Sequence, residues 1–297
     1  MKPITAPIPS PTELHSYQNQ SVLVDGLKLN YVRAGSGRPV VLIHGNPGSH
    51  QDYTLSVIGK LSESYYVVAF DRPGHGYSER HDSVHTTVEV QAGIIRVALR
   101  ELSIERPVLV GHSWGGSLVL AAAIAYGSEL SGIVLLAPAA YPSVRVEWWS
   151  LLPQVPLLGN FIVNRLTPFV GRAVVRKSLE EAYHPQAVHE EYAQRSAELW
   201  TKPAQIRACA YDERTLGASL EVLCHRYGEI EMPVVIVTGS EDRLLEPKKH
   251  SYRLQQTIKN SKLVVLEQTG HQLPQTRAEA VISAIDAVWS AVEEHRT

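Results

Sequence analysis

Ser113 lies in the run Gly111-His112-Ser113-Trp114-Gly115-Gly116, between the apolar run Val108-Leu109-Val110 and the helix-like stretch Ser117 to Tyr126. A strand, a sharp turn and a helix in that order hold a serine hydroxyl clear of the backbone, as a nucleophile requires. Glycines flank it because a side chain at Gly111 or Gly115 would block the close approach of strand and helix. A serine so exposed can attack a carbonyl once a neighbouring base takes its proton. A second run, His44-Gly45-Asn46-Pro47-Gly48, follows an earlier buried-type strand.

These residues need a scaffold. Gln20 to Ala34 alternates apolar and polar residues around Asp25-Gly26, which predicts a two-stranded hairpin with a tight turn. Pro39 to Ile43 is β-branched without alternation, as expected of a strand buried on both faces. Similar runs at Tyr66 to Phe70, Val108 to Val110, Ile133 to Leu136, Val234 to Val237 and Leu263 to Leu266 alternate with helical patterns. The order predicts an α/β fold with a mostly parallel central sheet flanked by helices, whose ligand site forms at the carboxyl ends of the strands. The β rhythm stops between Ala140 and Glu231, where helical composition is broken by Pro153, Pro156, Pro168, Pro185 and Pro203. Residues 140–231 therefore read as an inserted helical cap, and residues 1–139 with 232–297 as the core, closed by an amphipathic helix over Ala278 to Val292.

The motifs resemble those of the α/β-hydrolase superfamily from about Ser21 to Val292. The resemblance rests on HGNPG at His44 to Gly48, DRPGHGYS at Asp71 to Ser78, GHSWGG at Gly111 to Gly116, GSED at Gly239 to Asp242, and Gly270-His271. It implies the α/β-hydrolase fold and a triad in the order serine, acid, histidine, met by Ser113 as nucleophile, Asp242 as the orienting acid and His271 as general base. Glu241 and Glu246 compete for the acid's role, and only the Gly239-x-x-Asp242 spacing favours Asp242. The resemblance also implies an oxyanion hole from the backbone N–H groups of Asn46 and Trp114. Asp71 reads as the anchor of a turn beneath the site rather than as a catalytic group.

Haloalkane dehalogenases and epoxide hydrolases carry similar HGNP-like and GHDWGG-like elements, but with aspartate where this chain has Ser113. An aspartyl ester can be cleaved by water, whereas serine alkylated by a halide or epoxide would be left as a stable ether. Proline iminopeptidases match only in part, departing at Asn46 and His112. Their amine-binding carboxylate would have to come from Glu180, Glu181, Glu190 or Glu191, which read equally as a solvated helix face. The Trp114 side chain reads as either a pocket wall or core packing. Trp148, Trp149, Leu152 and Phe161 lie in an apolar stretch that either contacts substrate or docks the cap.

Composition narrows the partners. The 297 residues, 44 % apolar and 20 % charged with a formal charge of −2, suit a soluble globular chain with no field for nucleic acid. Cys209 and Cys224 match no metal spacing and read as free thiols. Met1 to Ser16 reads as a proline-rich arm without a signal-peptide core, and no apolar stretch reaches the roughly 20 residues of a membrane span. The expectation is a cytoplasmic monomer or homodimer, cofactor-independent and without a metal. It would hydrolyse a small to medium, mainly apolar carboxylic ester through an acyl-enzyme intermediate. A carbon-carbon bond hydrolase, a lactonase, an amidase of the iminopeptidase type, or a ligand receptor on the same fold are the alternatives.

Overall fold

The computed structural model describes residues 17–81, 85, 87–144 and 158–294. The chain opens with the hairpin β1 (Gln20–Val24) and β2 (Leu27–Ala34), then β3 (Arg38–Ile43), the short helices α1 (Gln51–Thr54) and α2 (Ile58–Leu61), and β4 (Tyr65–Phe70). Next come α3 (Val88–Glu101), β5 (Val108–His112), α4 (Trp114–Tyr126) and β6 (Gly132–Leu136). The segment before the next strand is helical, with α5 (Leu158–Phe161), α6 (Thr167–Tyr183), α7 (Glu190–Trp200) and α8 (Pro203–Leu223). The sheet resumes at β7 (Val234–Gly239), followed by α9 (Ser251–Thr257), β8 (Ser261–Leu266), α10 (Leu273–Thr276) and α11 (Ala278–Glu294).

The eight strands form one sheet in the order β1-β2-β4-β3-β5-β6-β7-β8. β1 and β2 pair antiparallel to each other, β2 pairs antiparallel to β4, and β3 through β8 run parallel. The hairpin turns at Asp25 and Gly26, both with positive φ, the conformation a two-residue turn between right-twisted strands demands. The central strands lack alternation because both faces are covered. Leu109 packs with Ile95, Leu118 and Leu120 on one side of the sheet, while Val108 and Val110 pack with Ile285, Val288 and Trp289 on the other.

The helices between β6 and β7 belong to two packing groups. Leu179, Tyr183, Tyr192, Leu199 and Trp200 form a small core of their own with Leu55. The second half of α8 instead joins the main core through Leu216, Leu220 and Leu223, so the sheet-bound packing begins well before residue 232. Two of the sequence's proline breaks bound helices, with Pro203 opening α8 and Pro185 falling between α6 and α7. Pro153 and Pro156 lie outside the described residues. No helix among the described residues is long and apolar enough to cross a membrane.

Candidate active site

The end of β5 delivers Ser113 with φ 52° and ψ −118°, a conformation L-residues avoid, at the start of α4. The glycines permit this turn. A Cβ on Gly115 would fall 2.5 Å from the main-chain oxygens of Ile43 and His44, and one on Gly111 would fall 2.4 Å from the Gly115 oxygen. The turn is held by Ser113 N–H donating to Leu136 O at 2.9 Å and by Ser113 O accepting from Gly116 N–H at 2.9 Å. Ser113 thus sits at the positive dipole end of α4, which favours negative charge.

Asp242 and His271 follow β7 and β8 and meet although 29 residues apart. His271 Nδ1 lies 2.8 Å from Asp242 Oδ2, and both residues are buried. Asp242 Oδ1 accepts from the backbone N–H groups of Leu244 and Leu245, each at 2.9 Å, so both carboxylate oxygens have fixed partners. Glu241 and Glu246 are exposed, and Glu246 pairs with Lys249. His271 hangs from the helical segment, with the N–H groups of His271 and Gln272 both donating to Ala182 O at 3.0 and 3.1 Å. Gly270 makes that approach possible, since a Cβ there would fall 2.0 Å from His184 O.

His112 Nε2 donates to His271 O at 3.0 Å, which leaves Nδ1 unprotonated. Burial, followed by the neighbouring His271, pushes the His112 imidazole down to about 3, so it stays neutral.

Ser113, His271, Asn46 and Trp114 border one cavity of about 500 Å³. Its apolar lining comes from Val174, Leu179, Trp200 and Leu216 of the helical segment and from Leu244 and Leu245 beside Asp242, while Lys177, Glu181, Glu213 and Arg243 add charge. Phe161, expected either to contact substrate or to dock the cap, is 54 % exposed and is not among the described residues lining this cavity. Trp148, Trp149 and Leu152 lie outside the described residues. Glu180, Glu190 and Glu191 form surface ion pairs with Arg176 and Arg195, whereas Glu181 reaches the cavity lining.

Beneath the loop of Asn46 lies a charged network that the sequence did not disclose. Arg72, wholly buried, donates to His44 O at 3.1 Å and Gly45 O at 2.8 Å, and pairs with Asp212 of α8 at 2.5 Å. Arg80 and His75 also bond to Asp212, at 2.6 and 2.9 Å. Burial raises the Asp212 carboxyl, but the two arginines outweigh it and hold the group well below the usual carboxylate range. Trp114 joins this network: its Nε1 donates to Asp212 O at 3.2 Å and the Arg72 guanidinium stacks 3.9 Å from its ring centroid. The Trp114 side chain is therefore buried within this network. Asn46 is tied to α8 by its Nδ2 donating to Cys209 O at 3.1 Å.

Asp71 anchors a turn, as its position suggested. Its carboxylate accepts from the backbone N–H groups of His50 at 2.7 Å and Tyr77 at 2.9 Å, and from Asn30 at 2.8 Å. Burial works against ionisation there, yet His50 and these donors keep the carboxyl below its ordinary value. Cys209 and Cys224 are free thiols. Among the described residues, no three His, Cys, Asp or Glu side chains group as a metal site would need.

A strained serine at a strand-helix turn, a mostly parallel sheet and a helical segment before β7 define an α/β hydrolase architecture. The chain belongs to the α/β hydrolase fold family, whose sequence profile matches residues 38–274. It is 27 % identical to the 2-hydroxy-6-oxo-2,4-heptadienoate hydrolase of Pseudomonas putida over 276 residues, covering 90 % of this chain and 95 % of that one. It is also 27 % identical to haloalkane dehalogenase 2 of Mycobacterium tuberculosis over 273 residues, covering 87 % and 90 %. Among solved structures, an α/β hydrolase fold protein from Burkholderia ambifaria superposes with a TM-score of 0.79 at 24 % identity, covering 90 % of this chain and 96 % of that one.

Proposed function

We propose that this chain is a serine hydrolase that cleaves a small to medium, mainly apolar carboxylic ester through an acyl-enzyme. The observation that carries the reading is Ser113, strained and at a helix N-terminus, in one cavity with a histidine whose Nδ1 is 2.8 Å from a buried carboxylate. His271 takes the Ser113 proton as the oxygen attacks the carbonyl, and Asp242 holds the imidazole in the tautomer that leaves Nε2 free. The backbone N–H groups of Asn46 and Trp114 receive the developing oxyanion. His271 then returns the proton to the leaving alcohol, and water releases the acyl group by the same sequence in reverse.

A cavity of about 500 Å³ with Val174, Leu179, Trp200, Leu216, Leu244 and Leu245 in its lining supports a compact, mainly apolar substrate. We read the segment 140–231 as the cap that supplies much of this lining. Dehalogenation and epoxide opening are disfavoured by the serine itself, since its alkyl ether offers water no carbonyl to attack. A carbon-carbon bond hydrolase is the second reading, and the likeness to the heptadienoate hydrolase favours it.

The test is turnover of p-nitrophenyl esters from acetate to laurate by the wild type and Ser113→Ala, alongside labelling by a fluorophosphonate. Serine-dependent turnover with a chain-length optimum supports the esterase reading. Labelling without turnover points to the carbon-carbon reading or to a receptor, and absence of labelling overturns the role of Ser113.

A further inference from the structure

We propose that Gln186 is a positioning residue for the general base: its side-chain amide clamps the loop that carries His271 onto the helical segment between β6 and β7, and so holds the histidine in place for proton transfer. The inference deepens the serine-hydrolase reading and rests on it. The loop from the end of β8 to His271 is held from two sides. Its first half is tied to the core, with Gln268 N–H donating to Ser240 Oγ at 3.0 Å and Glu241 N–H donating to Thr269 O at 2.8 Å. Ser240 and Glu241 directly precede Asp242, so this half moves with the acid.

The N–H groups of the second half turn the other way. Gly270 N–H donates to Gln186 Oε1 at 3.2 Å, and those of His271 and Gln272 donate to Ala182 O. Ala182 lies in the last turn of α6, where carbonyls have no partner further along the helix, and Pro185 stops the helix from supplying one. Gln186 follows this break, with its backbone N–H donating to Tyr183 O at 2.8 Å. Its side-chain Nε2 donates to Gln268 O at 2.5 Å. Gln268 O can only accept and Gly270 N–H can only donate, so the Gln186 amide has one orientation, with both ends satisfied.

The loop needs such a clamp. Gln268 has φ 50°, a left-handed conformation that residues other than glycine adopt reluctantly, so the local backbone does not favour this path by itself. Arg277 Nη2 also donates to Gln268 O, at the longer distance of 3.3 Å. Without the Gln186 amide, Thr269 and Asp242 stay tied to each other through the core, while Gly270 N–H loses its partner directly before His271. Proton transfer from Ser113 then suffers, because general-base catalysis depends steeply on the placement of the base. Gln186 is not among the described residues lining the cavity, so its loss acts on rate and leaves substrate contacts in place.

The experiment measures the rate constant for fluorophosphonate labelling of Ser113, with kcat per labelled serine and KM for p-nitrophenyl butanoate, in wild type, Gln186→Met and Gln186→Glu. Gln186→Met, of similar length but without the amide, is expected to lower the labelling rate constant and kcat together by about tenfold, with KM held within about twofold. Gln186→Glu is expected to match Gln186→Met at about pH 8, where it is ionised. At about pH 5 it is expected to approach wild type at the same pH, because a protonated carboxyl again offers one donor and one acceptor. A fall confined to KM, or labelling and kcat per labelled serine unchanged in Gln186→Met, overturns the inference alone. Where Gln186→Met folds poorly, the Gln186→Glu series decides it, and a ratio to wild type that is equal at the two pH values overturns it. Absence of Ser113-dependent labelling and turnover in the wild type overturns the serine-hydrolase reading and this inference with it.

Discussion

His112 and His271 are joined through the main chain, with His112 Nε2 donating to His271 O at 3.0 Å and the two rings 4.8 Å apart. The residue before the proposed nucleophile thus braces the proposed base, although the two are 159 positions apart. Being neutral and aimed at a carbonyl oxygen, His112 acts on position, not on proton transfer. His112→Leu is expected to lower kcat roughly tenfold, about the worth of one net hydrogen bond, with the acid limb of the pH–rate profile unmoved. A displaced limb would mean that His112 itself titrates in the reaction.

The three proposed catalytic side chains have unequal duties. Ser113→Ala and His271→Ala are each expected to cut kcat by on the order of 10⁶, leaving only what cavity and oxyanion hole supply. Asp242→Asn is expected to cost less, on the order of 10⁴, because the histidine survives in the wrong tautomer. Steady-state kinetics on the best p-nitrophenyl ester decides it, and an Asp242→Asn loss as large as that of His271→Ala would contradict the assigned roles.

Asp52 links stability to pH. Burial pushes its carboxyl from 3.8 up to about 7, against the opposing hydrogen bonds from Tyr192 and Ser49. Between about pH 4 and 7 the folded chain keeps a proton that the unfolded chain has released, so this group's contribution to stability falls across that window and is level above it. Asp52→Asn removes the slope. Urea denaturation at pH 5 and pH 8 should show wild type losing ~3 kcal/mol relative to the variant on going to the higher pH.

Removing one member of the buried pair beneath the Asn46 loop strands the other. Asp212→Ala leaves Arg72 and Arg80 facing each other without a counter-ion and is expected to destabilise the fold by about 3–5 kcal/mol. Arg72→Met combined with Asp212→Leu is expected to cost clearly less than the two single changes added together, because neither charge is left unpaired. Chemical denaturation of the four proteins closes the cycle, and strict additivity would show that the pair is not coupled.

The parts legible in the sequence are those where one constraint dominates. Strands buried on both faces must be continuously apolar, so the inner strands could be read from their runs, while the β1–β2 hairpin showed through its alternation around Asp25-Gly26, and the crowding around Ser113 demanded its glycines. The helical segment obeys no such single rule. Phe161 drew notice for either a pocket or a docking role because it sits in an apolar stretch, and it is exposed, while Trp200 and Leu216, in less conspicuous surroundings, border the cavity. Helical register fixes which face turns inward, and proline-punctuated helices reset that register at each break. The Arg72–Asp212 pair spans 140 positions. Pairings across such distances leave no local pattern.

Ala182 O, near the end of α6, holds two consecutive N–H groups of the loop that carries His271, so the helical segment and that loop share a beam. In engineering terms the helical segment between β6 and β7 is not an interchangeable module. Exchanging it with that of a relative to broaden the range of substrates would also take away the support under the histidine. Chimeras of that kind will change rate and selectivity together, unless the end of α6 and the Gly270 approach are carried over as one unit.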